Sequence, residues 1–387
     1  MIILNGITWD QSSIYGPLAA ASKLYEEQFG IRVEWEKRPL SSFKDQSLPD
    51  LATKADLLII QHPQTGVAGE TNCLLNLDEL LPYEQLQELE HQSAGPVFLS
   101  YYYQQKQWAL PLDATMQCAA SRPDLLDGHP VPTNWDEVFE LAEILKQQHL
   151  NIGMALSATD CMYTFLSLAV HLGSAPRENN TLLVTKEVGM LVLEGMRKLR
   201  DNFHPKCLDW TPIELYDHMA TEDDIPYSPL AFCYNNYSRD GFRKNRLRFH
   251  NAPDVKDVVL GGAGIAVSAT TSAPAEAAKY AAWLCSAAVQ NDVYVNAQGQ
   301  PANIIAWKDP AANAMTDNFF SNTIDTLTYA YVRPRYNGWA AFEQYLGETL
   351  HTFLKHNSNA AEVLEQIQEA YHFSYAYNKK SNQQNTP

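Results

Sequence analysis

The chain has 387 residues, 45% of them hydrophobic, and a formal net charge of −17. That length exceeds one ordinary core and fits two domains, and the apolar content excludes a disordered chain. The acidic balance excludes nucleic acid as a partner and disfavours docking on anionic lipid; no run approaches the roughly 20 apolar residues of a membrane span, so direct membrane insertion is not expected.

The first sixty residues alternate strand and helix. Ile2 to Ile7 reads as a short apolar strand, and Pro17 opens a helix reaching Glu27, with Leu18, Ala21, Leu24 and Tyr25 at helical spacing. Ile31 to Trp35 alternates as a half-buried strand, Ser41 caps a short helix to Thr53, and Asp56 to Ile60 is a buried third strand. This order implies right-handed crossovers and a mainly parallel sheet, with ligands beyond the carboxyl ends of its strands. Those ends carry Thr8-Trp9-Asp10 and Gln61-His62-Pro63.

The middle is mostly helical. Thr133-Asn134 caps a helix from Trp135 to His149, and Cys161 to Leu172 and Val188 to Asn202 follow. Ala231 to Tyr234 reads as a strand before a polar loop. Leu260 to Ser268 and Ala275 to Ala288 then restore the strand–helix order. Two more helices centre on Ala340 to Lys355 and Ala360 to Tyr371, and the polar segment from Asn378 reads as a frayed tail. With no linker in sight, two domains require a chain that crosses between them more than once.

Six cysteines are scattered without a C-x-x-C, and His204 and Cys207 lack a second pair, so no zinc and no other cofactor is expected. The six spaced thiols favour reducing conditions. The segment from Met1 has neither the charged nor the apolar region of a secretory leader. It implies a periplasmic or extracellular location if a leader was removed, and a cytoplasmic one if the N-terminus is native. G-x-S-x-G, a P-loop and H-E-x-x-H are all absent, and no enzyme is expected.

Ile7-Thr8-Trp9-Asp10, Tyr15-Gly16-Pro17-Leu18, Ala55-Asp56-Leu57-Leu58-Ile59-Ile60 and Leu110-Pro111-Leu112-Asp113-Ala114 together resemble segments of the family 1 extracellular solute-binding proteins. Arg122-Pro123-Asp124, Pro132-Thr133-Asn134-Trp135, Gly261-Gly262-Ala263-Gly264, Lys279-Tyr280-Ala281-Ala282-Trp283, Gly299-Gln300-Pro301-Ala302 and Arg333-Pro334-Arg335-Tyr336 continue the series in the family's order. The resemblance implies an α/β, two-lobed, maltose-binding-like type II periplasmic-binding fold. Each lobe would hold a mainly parallel sheet flanked by helices, with the ligand in a cleft between lobes. One lobe would take residues 1–112 and 258–302, the other 113–257 and 303–377, and 378–387 a flexible tail. It also implies a monomer that opens and closes on a small sugar or sugar acid and delivers it to the permease of an ABC importer.

On that frame, Trp9 and Asp10 would pair a stacking face with a carboxylate for vicinal hydroxyls. His62 offers an imidazole by the same geometry, Asp113 lies at the first crossover, and Tyr15 precedes the first helix. In the second lobe Tyr234 and Asn235 follow a strand, while Ser268 ends the strand after the glycines, which read as a close backbone approach rather than a dinucleotide loop. Arg333 and Arg335 would clamp an anion, or form structural ion pairs, with Tyr336 beside them. The rival readings are a cytoplasmic sensor on the same fold and a carbohydrate-active enzyme using Asp10, His62 and Asp113.

Overall fold

A computed structural model describes residues 2–39, 46–177, 181–254 and 256–384. In chain order the strands that matter here are β1 (Ile3–Trp9), β2 (Arg32–Arg38), β3 (Leu57–Ile60), β4 (Leu110–Ser121), β5 (Tyr227–Phe232), β6 (Arg248–His250) and β7 (Leu260–Val267). The principal helices are α1 (Ser12–Phe29), α2 (Trp135–Gln147), α3 (Ala158–His171), α4 (Lys186–Asn202), α5 (Pro212–Thr221), α6 (Pro274–Leu284), α7 (Phe319–Thr328), α8 (Trp339–His356) and α9 (Ala360–Gln384). The chain divides into two units, one of residues 1–115 and 261–314, the other of 116–260 and 315–387.

In the first unit β1 pairs parallel with β2 and β3, while β7 adds to β3 antiparallel, with Leu57 opposite Val267. Every residue of β3 is buried, as its unbroken Leu-Leu-Ile-Ile demands. Helix α1 buries Ile14, Leu18, Ala21 and Tyr25, a stripe at the helical period, in a core shared with Ile265, Val267 and Tyr280. Pro17 does not open this helix. Helix α1 begins five residues earlier, at Ser12, so Pro17 sits inside it and Tyr15 lies in its first turns. Proline is tolerated there because only the carbonyl one turn back, near the helix start, loses its partner.

The point where the chain leaves this unit is tied by two glutamines. Gln290 Nε2 donates to the Leu112 carbonyl at 3.1 Å while its Oε1 accepts the Ala302 amide at 2.8 Å. Gln300 Nε2 donates to the Ala114 carbonyl at 2.7 Å. Gly262, at φ 114°, passes over the Asp113 carbonyl, the close approach expected of this glycine run.

The second unit contains β5 and β6, each antiparallel to β4, with a register shift between Cys118 and Ala120. Parallel bridges join Ile152 to Tyr227 and Val259 to Tyr331 in the same unit. Asn134 caps α2 as expected, its side chain accepting the Glu137 amide at 2.9 Å. Helix α5 was not anticipated, although Thr211 and Glu214 form a capping box at its start. Buried Arg122 binds Asp124 in a two-bond fork and donates to the Met219 and Glu222 carbonyls, which explains the Arg-Pro-Asp motif.

Two further expectations differ. The short helix capped by Ser41 falls partly on residues 40–45, outside the described residues; the helix observed is Leu48–Ala52, capped by Ser47. Helix α9 runs through Gln384, beyond the expected fraying point at 378, and residues 385–387 lie outside the described residues.

Candidate functional site

Within the first unit, the carboxyl end of β1 gathers exposed polar groups. The parallel register sets Thr8 beside Lys37 and Trp9 beside Arg38. Lys37 Nζ therefore reaches the Asp10 carboxylate at 3.1 Å and stands 4.8 Å from the centroid of the Tyr15 ring. Asp10 and Tyr15 are thus brought together by a lysine that sequence reasoning passed over. Its signal is the Glu-Lys-Arg end of β2, legible only once the register is known. Trp9 belongs to the core cluster of this unit and is 6% exposed, so one edge at most is left for a solute.

His62 opens a single turn after β3 and is 1% exposed, its ring edge-on to Tyr101 with centroids 6.4 Å apart. Asp113 accepts the Gln300 amide at 3.3 Å and is buried at the exit strand. Ser268 is not open to a ligand: it is fully buried, its hydroxyl donates to the Ala52 carbonyl at 2.6 Å, and it accepts the Thr270 amide at 3.1 Å. It fastens the loop after β7 through these bonds.

In the second unit Tyr234 is half-buried and leads into a turn where Asn235 Oδ1 accepts from Arg239 Nε at 3.0 Å. Arg333 is 2% exposed, bonded to Glu343 at 2.5 Å and set 5.0 Å from the Tyr163 ring centroid. Burial pushes the Glu343 carboxyl above its usual range, and Arg333 draws it back only in part. Arg333 is therefore held in an ion pair with Glu343, while Arg335 is half-buried. Tyr336 packs edge-on to Trp339 and Tyr375, and its hydroxyl bonds Ser374 at 2.7 Å. Burial pushes its phenol up.

His204, His218 and Asp224 bring donor atoms within 4.8 Å of one another in the second unit. Both imidazole Nε2 atoms face the Asp224 carboxylate, at 3.3 and 2.8 Å, and the Lys206 amide donates to His204 Nδ1 at 3.2 Å. The two rings thus share the Asp224 carboxylate in one polar network. Cys207 takes no part in the trio; burial pushes its thiol up to about 12.

Two α/β units exchanging the chain at these points define the maltose-binding-like class of fold. Maltose-bound MalE3 of T. maritima matches with a TM-score of 0.82 at 15% identity, over 96% of this chain and 100% of that one. An ABC transporter solute-binding protein from Thermotoga lettingae TMO, bound with α-D-tagatose, matches at 0.81 and 15% identity over 97% and 100%. One from Agrobacterium radiobacter K84 in complex with ribitol matches at 0.80 and 17% identity over 96% and 98%. No curated protein matches the sequence. The family profile of the bacterial extracellular solute-binding proteins matches residues 20–304, and the chain belongs to that family. It is a family of binding proteins, not of enzymes. Among the described residues, no helix is long and apolar enough to cross a membrane.

Proposed function

We propose that this protein binds a small neutral or acidic sugar or polyol reversibly and delivers it to an ABC importer from outside the cytoplasm, acting as a monomer. The observation that carries the reading is family membership over residues 20–304. The ligand class is supported by neighbours described with maltose, α-D-tagatose, ribitol and D-mannitol. On this reading Asp10, Tyr15 and Lys37 offer hydroxyl-binding groups at the carboxyl end of β1 in the first unit; His62 and Asp113 of that unit, and separately Tyr234, Asn235 and Arg335 of the second unit, are the other residues proposed for ligand contact. A carboxylate and an ammonium flanking an aromatic ring accept from and donate to vicinal hydroxyls without any covalent step.

A thermal-shift panel of sugars, polyols and uronic acids tests it. A true ligand raises the melting temperature by mass action, about 2.7 kcal/mol at a hundredfold excess over Kd. No shift across the panel at millimolar concentrations would sink the ligand class. Cell fractionation tests the location, and recovery with the cytoplasm alone would sink export.

A further inference from the structure

A groove of about 360 Å³ opens on the helical face of the second unit, apart from every residue assigned to solute. Its walls are Trp135 and Phe139 of α2, Leu168 of α3 with Leu172 just beyond it, and Leu191 and Leu199 of α4. Leu172 and Leu191 are exposed. Gly195 lies on the lining, inside α4, and a Cβ built there would meet nothing within 4 Å. Packing therefore does not ask for glycine at 195, and alanine is the better helix former. A side chain at this position would instead project into open space on the lining.

Four polar side chains line the groove, Asn134, Asp136, His171 and Asp254, and two of them are acidic. Asp254, held at φ 61°, accepts the Trp135 amide at 3.4 Å and faces His171 Nε2 at 3.8 Å, both through Oδ2. Its Oδ1 has no hydrogen bond among the described residues. Asp136 is exposed beside it. The aromatic wall already holds one ammonium, Lys198 Nζ, 3.7 Å from the Phe139 ring centroid. Two carboxylates, an apolar trough and an aromatic face favour a cation with a hydrocarbon body, and the chain's charge of −17 disfavours an anion.

We propose that this groove is a second binding site, for a small amphipathic amine whose hydrocarbon part lies along Gly195 and whose ammonium meets Asp254 and Asp136. The test is calorimetric titration of the full chain with n-octylammonium, with n-octanoate and n-octanol as charge controls. Octylammonium is expected to bind one to one and at least tenfold more tightly than octanoate. Asp254→Asn should weaken it at least fivefold. Gly195→Leu should abolish it with the circular dichroism spectrum unchanged. If Gly195→Leu fails to fold, Gly195→Ala decides: it should raise the melting temperature while weakening octylammonium. No octylammonium binding up to millimolar concentration, equal binding of octanoate, or binding untouched by a folded residue-195 variant would overturn the proposal.

Discussion

A Cβ at position 262 would lie 2.2 Å from the Asp113 carbonyl oxygen, so only glycine lets β7 cross the exit strand there. Since φ at Gly262 is also 114°, a side chain adds backbone strain to the clash. Gly262→Ala is expected to cost about 3 kcal/mol or more, read from urea melts. A loss below about 1 kcal/mol would mean that the crossing relaxes freely.

Trp9 separates packing from binding. As a core residue its replacement by Ala should cost about 3–5 kcal/mol in chemical denaturation. Trp9→Phe keeps an aromatic ring but removes the indole edge. It should bind the solute found in the thermal panel roughly tenfold more weakly while staying folded. Unchanged affinity in Trp9→Phe would make Trp9 purely structural.

Asp160, buried at the start of α3, accepts from Ser157 Oγ at 2.5 Å, yet burial pushes its carboxyl up to about 7. The folded state keeps this proton where the unfolded chain, near its ordinary value of 3.8, has lost it. Stability from this group is thus full below pH 3.8 and is lost as pH rises to about 7, up to about 4 kcal/mol in all. Asp160→Asn should match wild type near pH 4 and melt higher by pH 8. His250 has the opposite sign: burial lowers it from 6.5 to about 4, so its contribution is lost as pH falls through that window. A melting difference between Asp160→Asn and wild type that is flat with pH would refute the Asp160 assignment.

The two arginines around Pro334 are expected to part company. Arg333→Met leaves the Glu343 carboxylate shielded and unpaired, and should cost about 3–5 kcal/mol of stability. Arg335→Gln should leave stability within about 0.5 kcal/mol. If Arg335 meets an anionic solute, this variant should also weaken a uronic acid relative to its neutral sugar. Equal titration of both sugars by wild-type protein would remove Arg335 from the site.

Local signals carried much of this fold. The buried β3 run, the Asn134 cap and the α1 stripe each depend on neighbours within one or two turns, and each was legible. The capping box Thr211–Glu214 is an equally local signal. What stayed hidden depends on distant pairing. Lys37 meets Asp10 only because β1 and β2 align as they do. Ser268 looked available because its partner, Ala52, lies 216 residues away. Arg333 and Arg335 share an extended stretch in sequence, but burial against α8 claimed one of them.

The exchange of the chain between units also governs how the molecule is born. Leu57 of β3 has its partner Val267 more than two hundred residues later, and Tyr280 and Leu284 of the same core follow after that. At about 5–20 residues per second, roughly 10–40 s of translation separate the two strands. Throughout that interval the fully apolar β3 lacks the partner on one of its edges, so the first unit cannot be completed until β7 has been made.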